Sequence, residues 1–428
     1  MTILLILLLL VALLLTGMPI FAALGAASLL IMAVFEHNVM SMADTVFSSL
    51  NNPLLATIPM FAFMAYVMIK AKVVDDLYEM ANKLVGHVNG GLGFATILSC
   101  SIFATISGSS VATALTIGSI AIPQMQKFGY RPRDTYGVIA AGGTLGILIP
   151  PSGPMILYAI VSNASIGALF LAGLIPGLLI ATAFGIFSWA QAKAHGGTRQ
   201  EKWPGLREVA RAFWGSIWAV MMPPVVLGGI YLGIFTASET AAIGAVYALL
   251  VATLVYRNIG LRDLFDCAIE TMRTSAMLFM IIAAAALFGH AITIIRLPNH
   301  IMEGVAALGL SQAGFIFAVM AVIFVLGMFL ETIAIILITT PIILPAMHDL
   351  HINPVWYGVM LMVNLELALI TPPVGMNLFV IKGITQAPLG TIIRGTAPYV
   401  VILLLGMFAI WAWPALALWL PANAGFGR

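Results

Sequence analysis

Residues 146–158 read GILIPPSGPMILY, and residues 368–380 read ALITPPVGMNLFV. Each stretch lies in an apolar run long enough for a membrane helix and interrupts it with a Pro-Pro pair followed by a glycine. A proline removes a backbone donor and breaks the helical ladder. Within a bilayer, a break of this kind is tolerated only where it is buried in protein or lines a water-filled cavity. The two stretches therefore predict two interrupted helices at membrane depth, and they raise the question of what the gaps hold.

Composition sets the surroundings of these breaks. The chain has 428 residues, of which 62% are hydrophobic and 8% charged. Soluble domains carry about 25% charged residues, so a soluble fold is excluded. Apolar runs recur from end to end, and an all-α polytopic membrane protein is expected. Lys and Arg total 18 against 16 Asp and Glu, which gives no reason to expect nucleic acid as a partner. Cys100 and Cys267 show neither metal-ligand spacing nor a disulfide framework. The opening run, MTILLILLLLVALLL, lacks a basic leader and an A-x-A site and reads as a retained span.

The two breaks are related by an offset of 222 residues, which takes Pro150-Pro151 to Pro372-Pro373 and Gly153 to Gly375. The same offset pairs Ala112 with Ala334, Pro123 with Pro345 and Pro132 with Pro354. Prolines at a fixed spacing inside helical segments argue for an internal repeat, 1–213 and 214–428, over chance likeness between apolar segments. Spans are expected at 2–15, 18–36, 50–70, 135–162, 168–192, 216–235, 239–256, 274–293, 355–382 and 396–420. Two regions, 90–128 and 312–348, are long enough for two short helices each, but have small or polar centres, TISGSSVAT and LGMFLETIA. Both are read as re-entrant hairpins.

Charge supports this map. With a hairpin at 90–128, the basic clusters at 70–83, 127–133, 193–211 and 257–273 all fall on one side. The connections 162–167 and 234–238, which lack Lys and Arg, fall on the other. The positive-inside rule makes the basic side cytoplasmic. The second hairpin then opens outward, the two halves are inverted, and both termini are external. The stretches VDDLYEMANKLV, WPGLREVARAFW (203–214) and LRDLFDCAIETM (261–272) have one apolar face and one charged face, and read as helices lying in the interface. On the first, Val73, Leu77, Met80 and Leu84 form the apolar face.

An interrupted helix offers carbonyls to a cation and amides to an anion. Pro150 and Pro151 free backbone oxygens, while Gly146 and Gly153 allow close approach to the chain. Ser107, Ser109 and Ser110 add hydroxyls at the first hairpin tip, and Thr371 and Asn377 serve similarly in the second half. Pro-Pro kinks and small residues also serve helix packing alone, but both features occur in both halves. Glu331 and Glu366 are acids within apolar segments, suited either to function or to a structural hydrogen bond.

Together, TGMPIFAALG, ISGSSVATALTIGSIAIPQM, GYRPRDTYGVIAAGGTLGILIPPSGPMILYA, ETIAIILITTPIILP and LITPPVGMNLFVI make the chain resemble the large membrane subunit of TRAP transporters, the tripartite ATP-independent periplasmic family. The resemblance covers essentially the whole chain. It implies sodium-driven import of a small organic acid, such as sialic acid or a C4-dicarboxylate, across the bacterial inner membrane. It also implies a periplasmic binding protein and a small four-helix membrane subunit as partners, sodium as coupling ion, and no cofactor or enzymatic activity. The implied mechanism is an elevator, with transport elements at 90–162 and 312–382 moving against a scaffold of the remaining spans. By match, a first sodium site uses Ser107, Gly108, Ser110, Gly146, Ile149 and Pro151. A second uses Gly327, Thr371 and Val374. Ser109, Ser152, Gly153 and Asn377 are the expected substrate contacts. One departure is Ala368, where the family pattern has glycine. Two other functions compete. One is a stand-alone sodium/dicarboxylate carrier. The other is an intramembrane hydrolase using Ser110 or Ser152, although neither serine sits in a G-x-S-x-G elbow.

Overall fold

The computed structural model describes residues 9–10, 12–14, 16–35, 41–195, 202–297, 299–300, 303–304 and 309–426. The described residues form helices joined by short turns, with no strand among them. Seven of these helical stretches are long and apolar enough to cross a membrane. The span expected at 2–15 falls largely outside the described residues.

In the first half, α1 (Ile20–Phe35) and α2 (Ser41–Leu50) precede α3 (Thr57–Lys70) and the amphipathic α4 (Val73–Val85). On α4, Val73, Leu77 and Met80 are buried as expected, but Leu84 is 45% exposed. A hairpin follows, made of α5 (Gly91–Ser107) and α6 (Ser110–Lys127). The first broken helix is α7 (Pro132–Leu148) and α8 (Gly153–Ser162), leading into α9 (Ile166–His195). In the second half, α10 (Leu206–Val220) is bent by 47° from α11 (Met222–Tyr231), and α12 (Ala237–Leu250) precedes α13 (Leu261–Ile294). Then come a second helix pair, α14 (Gln312–Gly327) and α15 (Thr332–Asp349), and a second broken helix, α16 (Pro354–Leu369) and α17 (Met376–Thr385). The last helices are α18 (Leu389–Ala412) and α19 (Ala415–Asn423).

The 222-residue offset recurs in the element boundaries, taking Ser110–Lys127 onto Thr332–Asp349 and the start of α7 onto the start of α16. Local chemistry explains these starts. Pro132 and Pro354 occupy first-turn positions where no donor is needed. The Asn353 side chain accepts from the amides of Val355 and Trp356. α7 and α16 form the core of the molecule, and every residue from Asp134 to Leu148 is buried. Tyr158 near the end of α8 donates 2.7 Å to the Pro354 carbonyl at the start of α16. At the opposite end of α7, Gly137 packs backbone to backbone on Gly395 of α18. The two broken helices therefore run antiparallel. The second helix of each pair packs on the other half's broken helix, α6 on α17 and α15 on α8.

Polar ties gather the basic segments at one end of the molecule. Lys70 pairs with Asp263 at 3.1 Å, Lys83 with Glu208 at 3.3 Å and His195 with Asp134 at 2.6 Å. The Arg133 side chain donates to the Arg394 carbonyl.

Three expectations need correction. Residues 261–272 do not form a separate in-plane helix, because they are the first turns of the continuous 34-residue α13. No proline or glycine interrupts 261–288, so the ladder has no reason to stop. The span expected at 396–420 is divided, since Trp413 and Pro414 separate α18 from α19. The helix foreseen at 203–214 begins at Leu206 and continues to Val220.

Candidate functional site

The first hairpin turns within two residues. α5 ends at Ser107, Gly108 takes a left-handed conformation (φ +58°), and Ser109 caps α6 by accepting from the Ala112 amide. A left-handed position of this kind favours glycine. The Thr113 hydroxyl donates 2.8 Å to the Ser109 carbonyl and lies 2.8 Å from the Ser107 hydroxyl. The tip rests against the first helix break. A Cβ at Gly146 would lie 2.5 Å from the Ser109 carbonyl oxygen, and one at Gly108 would lie 3.0 Å from the Pro151 carbonyl oxygen. Ile149 is extended where α7 ends, and Ser152 caps α8 by accepting from the Met155 amide. Seryl hydroxyls and main-chain carbonyls thus converge where tip and break meet. An all-oxygen donor set of this kind suits a hard cation.

Ser110, the first residue of α6, donates 2.5 Å to the Glu366 carboxylate of α16. Glu366 is fully buried, and its carboxylate also lies against the Ile147 backbone of α7. The link joins residues 256 apart in sequence, and neither local periodicity nor motif spacing signals it.

In the second half, α14 ends at Gly327 and Glu331 precedes α15. Thr371 donates 2.6 Å to the Leu367 carbonyl, which leaves its oxygen lone pairs open. The methyl of Ala368 faces Gly327, where an added Cβ would lie only 2.6 Å from it. Gly375 is left-handed (φ +58°), and a Cβ there would meet the Thr371 carbonyl at 2.9 Å. Val374 immediately precedes Gly375.

A cavity of about 360 Å³ lies between the tips and breaks on one side and α3 and α13 on the other. Ser107, Gly108, Ser109, Ser110, Pro151, Ser152 and Gly153 line it, as does Glu331 of the second tip. Gly146, Ile149, Gly327, Thr371 and Val374 lie outside its lining. So does Asn377, whose amide reaches 3.4 Å to the Ala140 carbonyl on α7. The starts of α6 and α8 open onto the cavity, and Lys, Arg and His are absent from its described lining. Sequence reasoning missed three polar groups here. One is Thr113, whose spacing of four from Ser109 puts it one turn above the tip. The others are Tyr66 and Thr274, bonded at 2.8 Å across the α3–α13 wall, which nothing in the sequence connects.

Comparison with known proteins agrees with this architecture. Residues 7–416 match the family described as "Tripartite ATP-independent periplasmic transporter, DctM component". The chain is 40% identical to the C4-dicarboxylate TRAP transporter large permease protein DctM of Pseudomonas aeruginosa, covering 93% of each chain. It is 30% identical to the sialic acid TRAP transporter large permease protein SiaM of Vibrio cholerae, covering 97% of this chain and 98% of that one. Among solved structures it resembles the Alcanivorax borkumensis YdaH transporter, with a TM-score of 0.66 and 14% identity over 88% of this chain and 89% of that one. That likeness is one of fold.

Proposed function

Because the chain belongs to the DctM component family of tripartite ATP-independent periplasmic transporters, a multi-pass inner-membrane protein of a TRAP system, we propose that it carries a small organic acid inward, coupled to sodium. The observation that carries this reading is the cavity bounded by the hairpin tips, the first helix break and the α3–α13 wall. With no basic side chain in the described lining, the amide ends of α6 and α8 and the hydroxyls of Ser109 and Ser152 hold the substrate's anionic group. Gly153 lets that group approach the backbone. Sodium binds where each tip meets the main-chain oxygens of a break, at the edge of the cavity in the first half. Ser107, Gly108, Ser110, Gly146, Ile149 and Pro151 form the first site, and Gly327, Thr371 and Val374 the second. The two halves act as inverted repeats whose tips and broken helices move together past the wall containing Tyr66 and Thr274. A periplasmic binding protein delivers the substrate, and a small membrane subunit flanks the scaffold. Transport without catalysis fits the contacts of the two candidate nucleophiles, since Ser110 faces an acid and Ser152 caps a helix.

The test is uptake in proteoliposomes containing the chain and its small subunit, with binding protein added outside and no ATP. Uptake is expected only with an inward sodium gradient and loaded binding protein. Uptake by this chain alone would support a stand-alone carrier, and uptake unaffected by collapse of the sodium gradient would defeat the coupling.

A further inference from the structure

The geometry points to Glu366 as the acidic group of the cation site at the first hairpin tip, acting on that site through Ser110. The inference rests on the sodium-coupled reading and deepens it.

Four observations carry it. Glu366 sits on α16, inside the membrane-depth core, with no exposed surface. Among the described residues no Lys, Arg or His pairs with it. A carboxylate buried in hydrocarbon without a compensating charge is strongly unfavourable, and such acids mark ion pathways more often than packing sites. One carboxylate oxygen accepts the Ser110 proton, and the carboxylate also lies against the Ile147 backbone in the last turn of α7, beside Gly146. Finally, the Ser110 backbone lies against Gly146, where an added Cβ would come within 2.8 Å of its amide nitrogen. The acid is therefore one side chain away from the converging oxygens of tip and break.

The hydrogen bond has a direction that matters. Ser110 has a single hydroxyl proton and gives it to Glu366. Its remaining lone pairs are then turned away from the acid, which is the state a cation ligand requires. Glu366 is thus a positioning residue for Ser110 and a source of charge. The other proposed ligands of the site are neutral carbonyls and a hydroxyl. A buried cation among neutral oxygens lacks its counter-charge, and Glu366 supplies it from the other half of the chain.

The second tip carries its acid, Glu331, on the tip itself and not on the other half's broken helix. The position equivalent to Glu366 in the first half is Thr144, whose hydroxyl donates to its own helix at the Ala141 carbonyl. The two tips therefore differ in where their acid sits.

The test is thermal melting of the purified full-length protein in detergent, titrated with sodium chloride against choline chloride at constant ionic strength. Two neutral variants are compared with the wild type. Glu366→Gln keeps an acceptor for Ser110 and removes the charge. Glu366→Met has similar bulk and removes the acceptor of Ser110 as well as the charge. Both are expected to fold and to melt close to the wild-type temperature without sodium, because no cation is then present for the acid to serve. Both are also expected to need at least about tenfold more sodium for half-maximal stabilisation, as befits loss of a unit charge a few ångströms from a cation. Adding Ser110→Ala to Glu366→Gln should deepen the loss at the first site, because it removes a ligand that the amide still positions. Adding Thr371→Ala should compound the loss, since it belongs to the other. An unchanged sodium half-point in either folded variant would overturn the inference. So would failure of both variants to fold, or lower sodium-free melting with an intact half-point, since each would make Glu366 a structural residue. A wild-type protein whose melting ignores sodium would instead sink the coupling reading.

Discussion

At the residue scale, the tip of the first hairpin separates side chains that pack from side chains that bind. Ser107 bonds to Thr113, but Thr113 already donates to the Ser109 carbonyl. Ser107→Ala therefore leaves the tip tied and should change stability by less than about 1 kcal/mol, the net value of a typical hydrogen bond. If its oxygen serves the cation, the sodium needed for half-maximal uptake should rise in the same variant. Gly146→Ala is the contrasting change. Alanine is the best helix former, yet its methyl would lie 2.5 Å from the Ser109 carbonyl oxygen, a backbone atom that cannot rotate aside. The tip must shift, and sodium-dependent uptake should fall far more than for Ser107→Ala while helix content by circular dichroism stays constant. Wild-type sodium dependence in Gly146→Ala would show that tip and break do not share an ion.

At the element scale, the sequence was most informative where chemistry is local. Pro-Pro pairs, first-turn prolines and small hairpin tips marked the ends of α5 to α8 and α14 to α17 to within a few residues, because several of these termini are fixed by a missing donor or a left-handed glycine. The extent of α13 was hidden. The charged, amphipathic pattern of 261–272 is the same whether those turns lie along a membrane surface or project from a span, and only the tie between Lys70 and Asp263 and the unbroken ladder decide it. The Glu366–Ser110 link was equally invisible, since it forms only after two distant helices meet. Close approach of elements also yields a prediction. A Cβ on Gly137 would stand 2.2 Å from the Gly395 carbonyl oxygen, where α7 crosses α18. Gly137→Ala should force these helices apart and cost about 1–3 kcal/mol, as overpacking does elsewhere. Sodium-independent melting measures it, and an unshifted melting temperature would mean that the crossing is looser than described.

At the scale of the whole molecule, the antiparallel broken helices require the two helix pairs to open toward opposite ends. In a background with Cys100→Ala and Cys267→Ala, single cysteines at positions 88 and 129 should react with an impermeant thiol reagent from one side of the membrane. Cysteines at 311 and 350 should react from the other. Labelling of 88 and 129 from different sides would remove the first hairpin and the charge argument with it. The length of α13 has its own consequence. Its 34 residues measure roughly 51 Å at the usual rise, against a hydrocarbon thickness of about 30 Å. The helix also forms part of the cavity wall, through Thr274, Met277 and Leu278. The depth at which α13 floats therefore sets the height of that wall relative to the lipid. Acyl-chain length becomes a control parameter for transport: uptake in vesicles of graded thickness should pass through an optimum, and thinner or thicker bilayers should slow it by tilting α13 against the moving elements. A flat response across that series would mean that the wall keeps its place whatever lipid surrounds it.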